Sequence, residues 1–167
     1  GDAIEYGKRF VTDDYFLLHA GDDIVISNKN SHLSRLESCF KKYKADIACL
    51  IETVENPSQY GVVSGELLED GIIDIKKIEE KPKKPKSKNA VIAIYIFKPK
   101  IFNYLSQVKK KSSAQNQLSD AFDMALKKGD RMIGVILNKN EKRIDIGTPE
   151  TYSKLLVSLK WKRKKFQ

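Results

Sequence analysis

The sequence is poor in cysteine, arginine and tryptophan, and each scarcity excludes something. Two cysteines, Cys39 and Cys49, are too few for a disulfide scaffold or a zinc cluster, and they read as reduced, buried thiols of a cytoplasmic protein. No apolar run approaches the roughly 18 residues that a membrane helix needs. The mixed, acidic start Gly1-Asp2-Ala3-Ile4-Glu5 also lacks the basic and apolar blocks of a signal peptide. No membrane partner is expected. There are no internal repeats. The nearest thing to a linker, the lysine-proline stretch 81–86, is short and lies between two predicted strands, so it reads as a loop.

Positive charge is plentiful: 31 Lys and Arg stand against 22 Asp and Glu, a formal net charge of +9. That balance invites a nucleic-acid reading. The distribution argues otherwise. Thirteen of the basic residues fall in three acid-free runs, at 81–88, 109–111 and 160–165. The remaining body has 18 basic and 22 acidic residues and is mildly acidic. Lysines outnumber arginines 26 to 5, and arginine is the bidentate reader of bases and phosphates. Aromatics are not interleaved with the basic runs as in a stacking platform. Nucleic acid is therefore not an expected partner.

With 167 residues, 41% of them hydrophobic, the chain can bury a real core. The spacing predicts a short helix over Ala3–Phe10, a buried strand over Tyr15–Ala20 and more strand at Ile24–Ile26. A helix capped by Ser31 would put Leu33, Leu36, Phe40 and Tyr43 on one face. Ile47–Val54 reads as a strand, and Tyr60–Leu68 with Ile72–Ile78 as a hairpin about Asp70-Gly71. Ala90–Phe97 is almost unbroken apolar sequence, which suits a central strand covered on both faces. Helices follow at Pro99–Leu105 and Leu118–Lys128, the second with Gly129 just past its end. Met132–Leu137 and Arg143–Ile146 read as strands. Thr148-Pro149-Glu150 opens a last helix with Tyr152, Leu155, Leu156 and Leu159 on one side. Helices alternating with strands imply an α/β fold about a mostly parallel sheet, with a β-hairpin insertion.

Three groups of residues could do chemistry. Gly21-Asp22-Asp23 ends a strand, where open α/β sheets bind ligands, though the same residues are also ordinary turn formers. Asp145 lies between two isoleucines and needs a partner, a metal or a rim position if its strand is buried. It is equally readable as a helix-capping acid. Carboxylates from two strand ends could share one Mg²⁺, a hard ion that takes oxygen ligands and keeps several waters. Glu80 and Lys81 follow a strand and could bind a phosphorylated sugar, carboxylate to hydroxyls and ammonium to phosphate. The alternative is a solvated ion pair beside a lysine-rich loop.

The order of these stretches resembles the sugar-phosphate nucleotidyltransferases, the NDP-sugar pyrophosphorylases. Ala20-Gly21-Asp22-Asp23 is similar to that family's Gly-Asp strand end, and Tyr60-Gly61-Val62-Val63 to its Tyr-Gly-Val-Val. Glu80-Lys81-Pro82, Gln117-Leu118-Ser119-Asp120-Ala121 and Asp145-Ile146-Gly147-Thr148-Pro149-Glu150-Thr151-Tyr152 complete the series in the family's order. The resemblance implies a Rossmann-like three-layer α/β/α fold lacking its N-terminal strands. Residues 1–150 would be the C-terminal two-thirds of the nucleotidyltransferase domain, and 151–167 its terminal helix and basic tail. It implies Asp22 and Asp145 as Mg²⁺-binding and catalytic acids, and Lys81 as the catalytic lysine on the sugar phosphate. Glu80, Gly61, Tyr60 and Asp23 would line the substrate pocket. The implied partners are an NTP, UTP or dTTP, and a sugar 1-phosphate, with glucose 1-phosphate foremost. A homo-oligomer is compatible.

Two departures stand out. The family's Gly-Gly-x-Gly-Thr-Arg triphosphate loop is nowhere in these 167 residues, so the chain alone is expected to be inactive. Ala93 stands where the family has glycine, and its methyl group could narrow the sugar pocket. The alternative function is that of a non-catalytic, sugar-nucleotide-binding regulatory relative.

Overall fold

A computed structural model describes residues 2–109 and 117–158. Lys110, Lys111, Leu159 and the basic tail 160–165 lie outside the described residues. The chain runs α1 (Asp2–Gly7), a 3₁₀ turn at Lys8–Phe10, β1 (Phe16–His19), β2 (Asp23–Ile26), α2 (Ser31–Lys42) and β3 (Ile47–Thr53). It continues through β4 (Gly61–Glu69), β5 (Ile72–Glu80), β6 (Asn89–Phe97), α3 (Ile101–Lys109), α4 (Gln117–Lys127), β7 (Met132–Ile136), β8 (Lys142–Asp145) and α5 (Pro149–Ser158).

Six strands form the main sheet in the order β1-β6-β3-β7-β5-β4, while β2 and β8 make a separate two-stranded ribbon. The α/β class is as expected, but the mostly parallel pairing is corrected. Among the described strands only β3 and β7 run parallel. Strands β4 and β5 are joined by a tight turn, which requires antiparallel pairing, and β6 runs antiparallel to β1, β3 and β4. The ribbon was also unexpected, because its partners lie far apart in the chain.

Both faces of the sheet are covered, which is why β3 and β6 read as continuous apolar runs. One face packs Cys49, Ile51, Ile75, Tyr95 and Phe97 against α3 and α4 through Phe102, Leu105, Ala121 and Phe122. The other packs Leu50, Ile92, Ile94 and Val135 against Leu36 and Phe40 of α2. Each fully buried Ile, Leu or Phe contributes roughly 1.5–3 kcal/mol. Gly71 in the hairpin turn and Gly129 after α4 take the left-handed φ values of 73° and 86° that favour glycine.

Two capping expectations met different fates. Ser31 does not cap α2; its hydroxyl donates to Glu141 Oε1, and Asn30 holds the cap position at a left-handed φ of 56°. Thr148 does cap α5: its Oγ1 accepts the Thr151 N–H at 3.2 Å, and Thr151 Oγ1 accepts the Thr148 N–H at 3.1 Å. On the apolar side of α5, Tyr152 and Leu156 are exposed.

Candidate active site

Pairing in the ribbon brings the acids together. Asp23 stands directly opposite Asp145, and Val25 opposite Arg143. One step beyond, the Ile146 N–H donates to the Asp22 carbonyl at 2.8 Å. The turns carrying Asp22 and Gly147 therefore lie side by side. A Cβ built on Gly147 would sit 3.2 Å from Asp145 Oδ1 and 3.3 Å from Asp22 Oδ2. Glycine there leaves a cradle flanked by both carboxylates. Asp145 Oδ1 is oriented by the Gly147 N–H at 2.9 Å. Asp22 faces solvent.

Among the described residues no group of three or more His, Cys, Asp or Glu could hold a metal. A pair of carboxylates, with water completing the shell, is a donor set that suits Mg²⁺. Asp22 and Asp145 fit that ion on two counts: hard oxygen donors, and a space that a side chain at position 147 would crowd.

Arg143 was missed in the sequence. Its side chain is only 7% exposed, and it contacts three carboxylates. Nε and Nη2 donate to Asp23 Oδ1 and Oδ2 at 2.5 and 3.1 Å. Nη1 reaches Glu52 Oε2 at 3.3 Å, and Nη2 reaches Asp145 Oδ2 at 3.4 Å. The Tyr60 ring covers the guanidinium at 5.1 Å. Burial would pull its proton affinity down, but the bonds to Asp23 and Glu52 outweigh that and hold it above the ordinary arginine range. One signal was available: Arg143 and Asp145 are two apart on a strand, hence on one face.

Asp23 takes a different part from the ligand contact expected of it. It lines the cavity, but it is 5% exposed and both its oxygens are engaged, by Arg143 and by the Ala93 N–H at 3.0 Å. It anchors the ribbon to the sheet. Ala93 accepts the Ala20 N–H at 2.9 Å, so both backbone groups of this residue join the ribbon loop to β6.

Ribbon, β6, the hairpin end and α4 enclose a cavity of about 440 Å³. Its floor is one face of β6, Val91, Ala93 and Tyr95, with Phe122 and Leu118 beside it. Tyr95 stacks on Phe97 at 5.3 Å, and burial pushes its phenol well above the usual tyrosine range. On the hairpin wall Gly61 pairs with Glu80, and a Cβ at Gly61 would lie 3.2 Å from Glu80 Oε2. That same oxygen accepts the Ser119 hydroxyl at 2.8 Å. The Lys81 N–H donates to the Tyr60 carbonyl at 3.0 Å. Lys81 adopts a left-handed φ of 43°, a strain of roughly 1–3 kcal/mol that often marks functional sites. Its ammonium forms no ion pair among the described residues. The cavity thus brings together Asp22, Asp23, Tyr60, Gly61, Glu80 and Lys81; Asp145 is joined to it through Arg143. The cysteines lie elsewhere, free and buried, with the Cys49 thiol pushed up to about 12 by burial.

An α/β sheet thus carries a carboxylate ribbon on one side of a cleft and an acid-lysine pair on the other. The chain belongs to the nucleotidyl transferase family, whose sequence model matches residues 1–160. It is 30% identical over 162 residues to the UTP–glucose-1-phosphate uridylyltransferase of Mycoplasma pneumoniae, covering 92% of this chain and 54% of that protein. The solved structure of a UDP-glucose pyrophosphorylase complexed with UDP-glucose is 33% identical, with a TM-score of 0.81, over 93% of this chain and 60% of that one. The UTP-bound pyrophosphorylase of Acinetobacter baumannii is 25% identical, with a TM-score of 0.75, over 93% of this chain and 54% of that one. The chain therefore spans between half and two-thirds of the length of each of these three relatives.

Proposed function

We propose that this chain supplies the acceptor-sugar and metal-binding part of a sugar-1-phosphate nucleotidyltransferase, acting on UTP or dTTP and glucose 1-phosphate. The observation that carries this reading is the convergence of two separate charged groups on one cleft: Asp22 with Asp145 beside the Gly147 cradle, and Glu80 with Lys81 across the floor. Relatives named for uridylyl transfer to glucose 1-phosphate support it.

In this reaction a phosphate oxygen of the sugar 1-phosphate attacks the α-phosphorus of the nucleotide. A new P–O bond forms as the bond to the β-phosphate bridging oxygen breaks, and pyrophosphate leaves with that electron pair. No covalent enzyme intermediate is required, so catalysis is positioning and charge neutralisation. Lys81, without a carboxylate partner among the described residues, offsets repulsion between the two anions. Glu80, fixed by Ser119, accepts hydrogen bonds from sugar hydroxyls. Gly61 lets the sugar approach the backbone. Asp22 and Asp145 would hold Mg²⁺, which when bound neutralises phosphate charge and orients both reactants.

Calorimetric titration of the 167-residue chain with glucose 1-phosphate and MgCl₂ tests the reading. Saturable binding that K81A and E80Q each weaken is expected, without release of pyrophosphate from UTP by this chain alone. Binding that neither substitution alters would refute the assigned pocket.

A further inference from the structure

This inference rests on the reading of Asp22 and Asp145 as a cation-holding pair. Antiparallel register sets Asp23 opposite Asp145, and like charges directly opposite destabilise a ribbon. Asp22 brings a third carboxylate to the same place. Among the described residues one side chain answers this charge. Arg143 lies two residues before Asp145, projects from the same face of β8 and is almost fully buried.

Its contacts are graded. The grip on Asp23 is a fork of two short bonds, 2.5 and 3.1 Å. The bond to Asp145 is single and longer, at 3.4 Å, and shares Nη2 with Asp23. Tyr60 over the guanidinium and Glu52 at its far end keep the group from turning with Asp145. Asp145 can therefore leave without dislodging Arg143.

We propose that Arg143 is a positioning residue and a built-in competitor for the cation: it holds Asp145 Oδ2 by the weakest of its bonds and yields it to an arriving divalent ion while keeping Asp23. The charge balance favours a cation: Asp22, Asp23, Asp145 and Glu52 against Arg143 leave three negative charges, of which a divalent ion offsets two. A lysine in its place keeps the charge but not the fork, so it cannot hold one acid firmly and another loosely.

The test is Mn²⁺ binding to the 167-residue chain by electron paramagnetic resonance, with thermal unfolding measured with and without Mn²⁺. Wild type should bind Mn²⁺ more tightly than D145N. R143Q should bind it roughly tenfold more tightly than wild type, because a buried competing charge is gone. The lower Tm of R143Q should be largely recovered by Mn²⁺, and R143K should fall between. An R143Q affinity equal to or weaker than wild type, or a Tm loss that Mn²⁺ does not change, would leave Arg143 a purely structural residue and overturn the inference. Should R143Q not fold, R143K decides, with tighter binding upholding the competition and unchanged binding ending it. Wild type and D145N binding alike would refute the cation pair itself, and this inference with it. A D145N defect with R143Q and R143K unchanged would refute the competition alone.

Discussion

The ribbon wall and the hairpin wall of the cleft both present acids and a base, and they hold them in opposite ways. On the ribbon, Asp23 and Arg143 are buried and fork-bonded, and the remaining acids are arranged around that pair. On the hairpin, Glu80 and Lys81 are exposed and unpaired with each other, held by one serine, one glycine and a strained backbone. Charge on the ribbon is tied to folding. Charge on the hairpin is available to a ligand.

Substitutions can break this contrast. The largest effect is expected for D23A, which leaves a buried guanidinium short of its main partner. Urea unfolding should show a loss of about 3–5 kcal/mol; a loss under about 1 kcal/mol would mean the ribbon pair is no anchor. Next comes G147A, whose new methyl would crowd Asp145 and Asp22 at 3.2 and 3.3 Å. Mn²⁺ affinity should fall roughly tenfold, with little change in stability. On the hairpin, K81G removes the left-handed strain together with the charge. Glucose 1-phosphate binding should weaken roughly tenfold, while stability stays level or rises by roughly 0.5 kcal/mol. A clear destabilisation by K81G would erase the distinction between the walls. The smallest effect belongs to S119A, which frees Glu80. Sugar-phosphate affinity should drop by about 1 kcal/mol, seen by calorimetry, and S119T should restore it.

How much of this was legible in the sequence varied with the range of the interaction. Local chemistry read well. Asp70-Gly71 marked its hairpin, Ala90–Phe97 its central strand and Thr148-Pro149 its helix start, because each depends on near neighbours. Pairing direction did not read, since it depends on which distant strands meet; β4 to β6 turn back on one another where alternation suggested crossovers. In the candidate site, motif order pointed to Asp22, Glu80 and Lys81, all of which line the cavity. The roles of Asp23 and Arg143 were hidden, because the two are 120 residues apart and neither is unusual alone. Ser119 lay in a quoted motif, yet its bond to Glu80 depends on how α4 sits over β5.

One seam in the sheet has a mechanical consequence. The hairpin is fastened to β7 through four residue pairs, Ile72↔Val135 to Ile75↔Met132, but to β6 through the single pair Val62↔Ala90. That one pair closes the strand order on itself beside the mouth of the cleft. It is the seam with the least to break, so hinge motion of the hairpin wall would start there, with β5 and β7 as the axle. The Val62 and Ala90 amides should then be the fastest to exchange hydrogen in an otherwise slow sheet. A ligand bridging ribbon and hairpin would clamp the same seam shut, slowing exchange at residues it never touches.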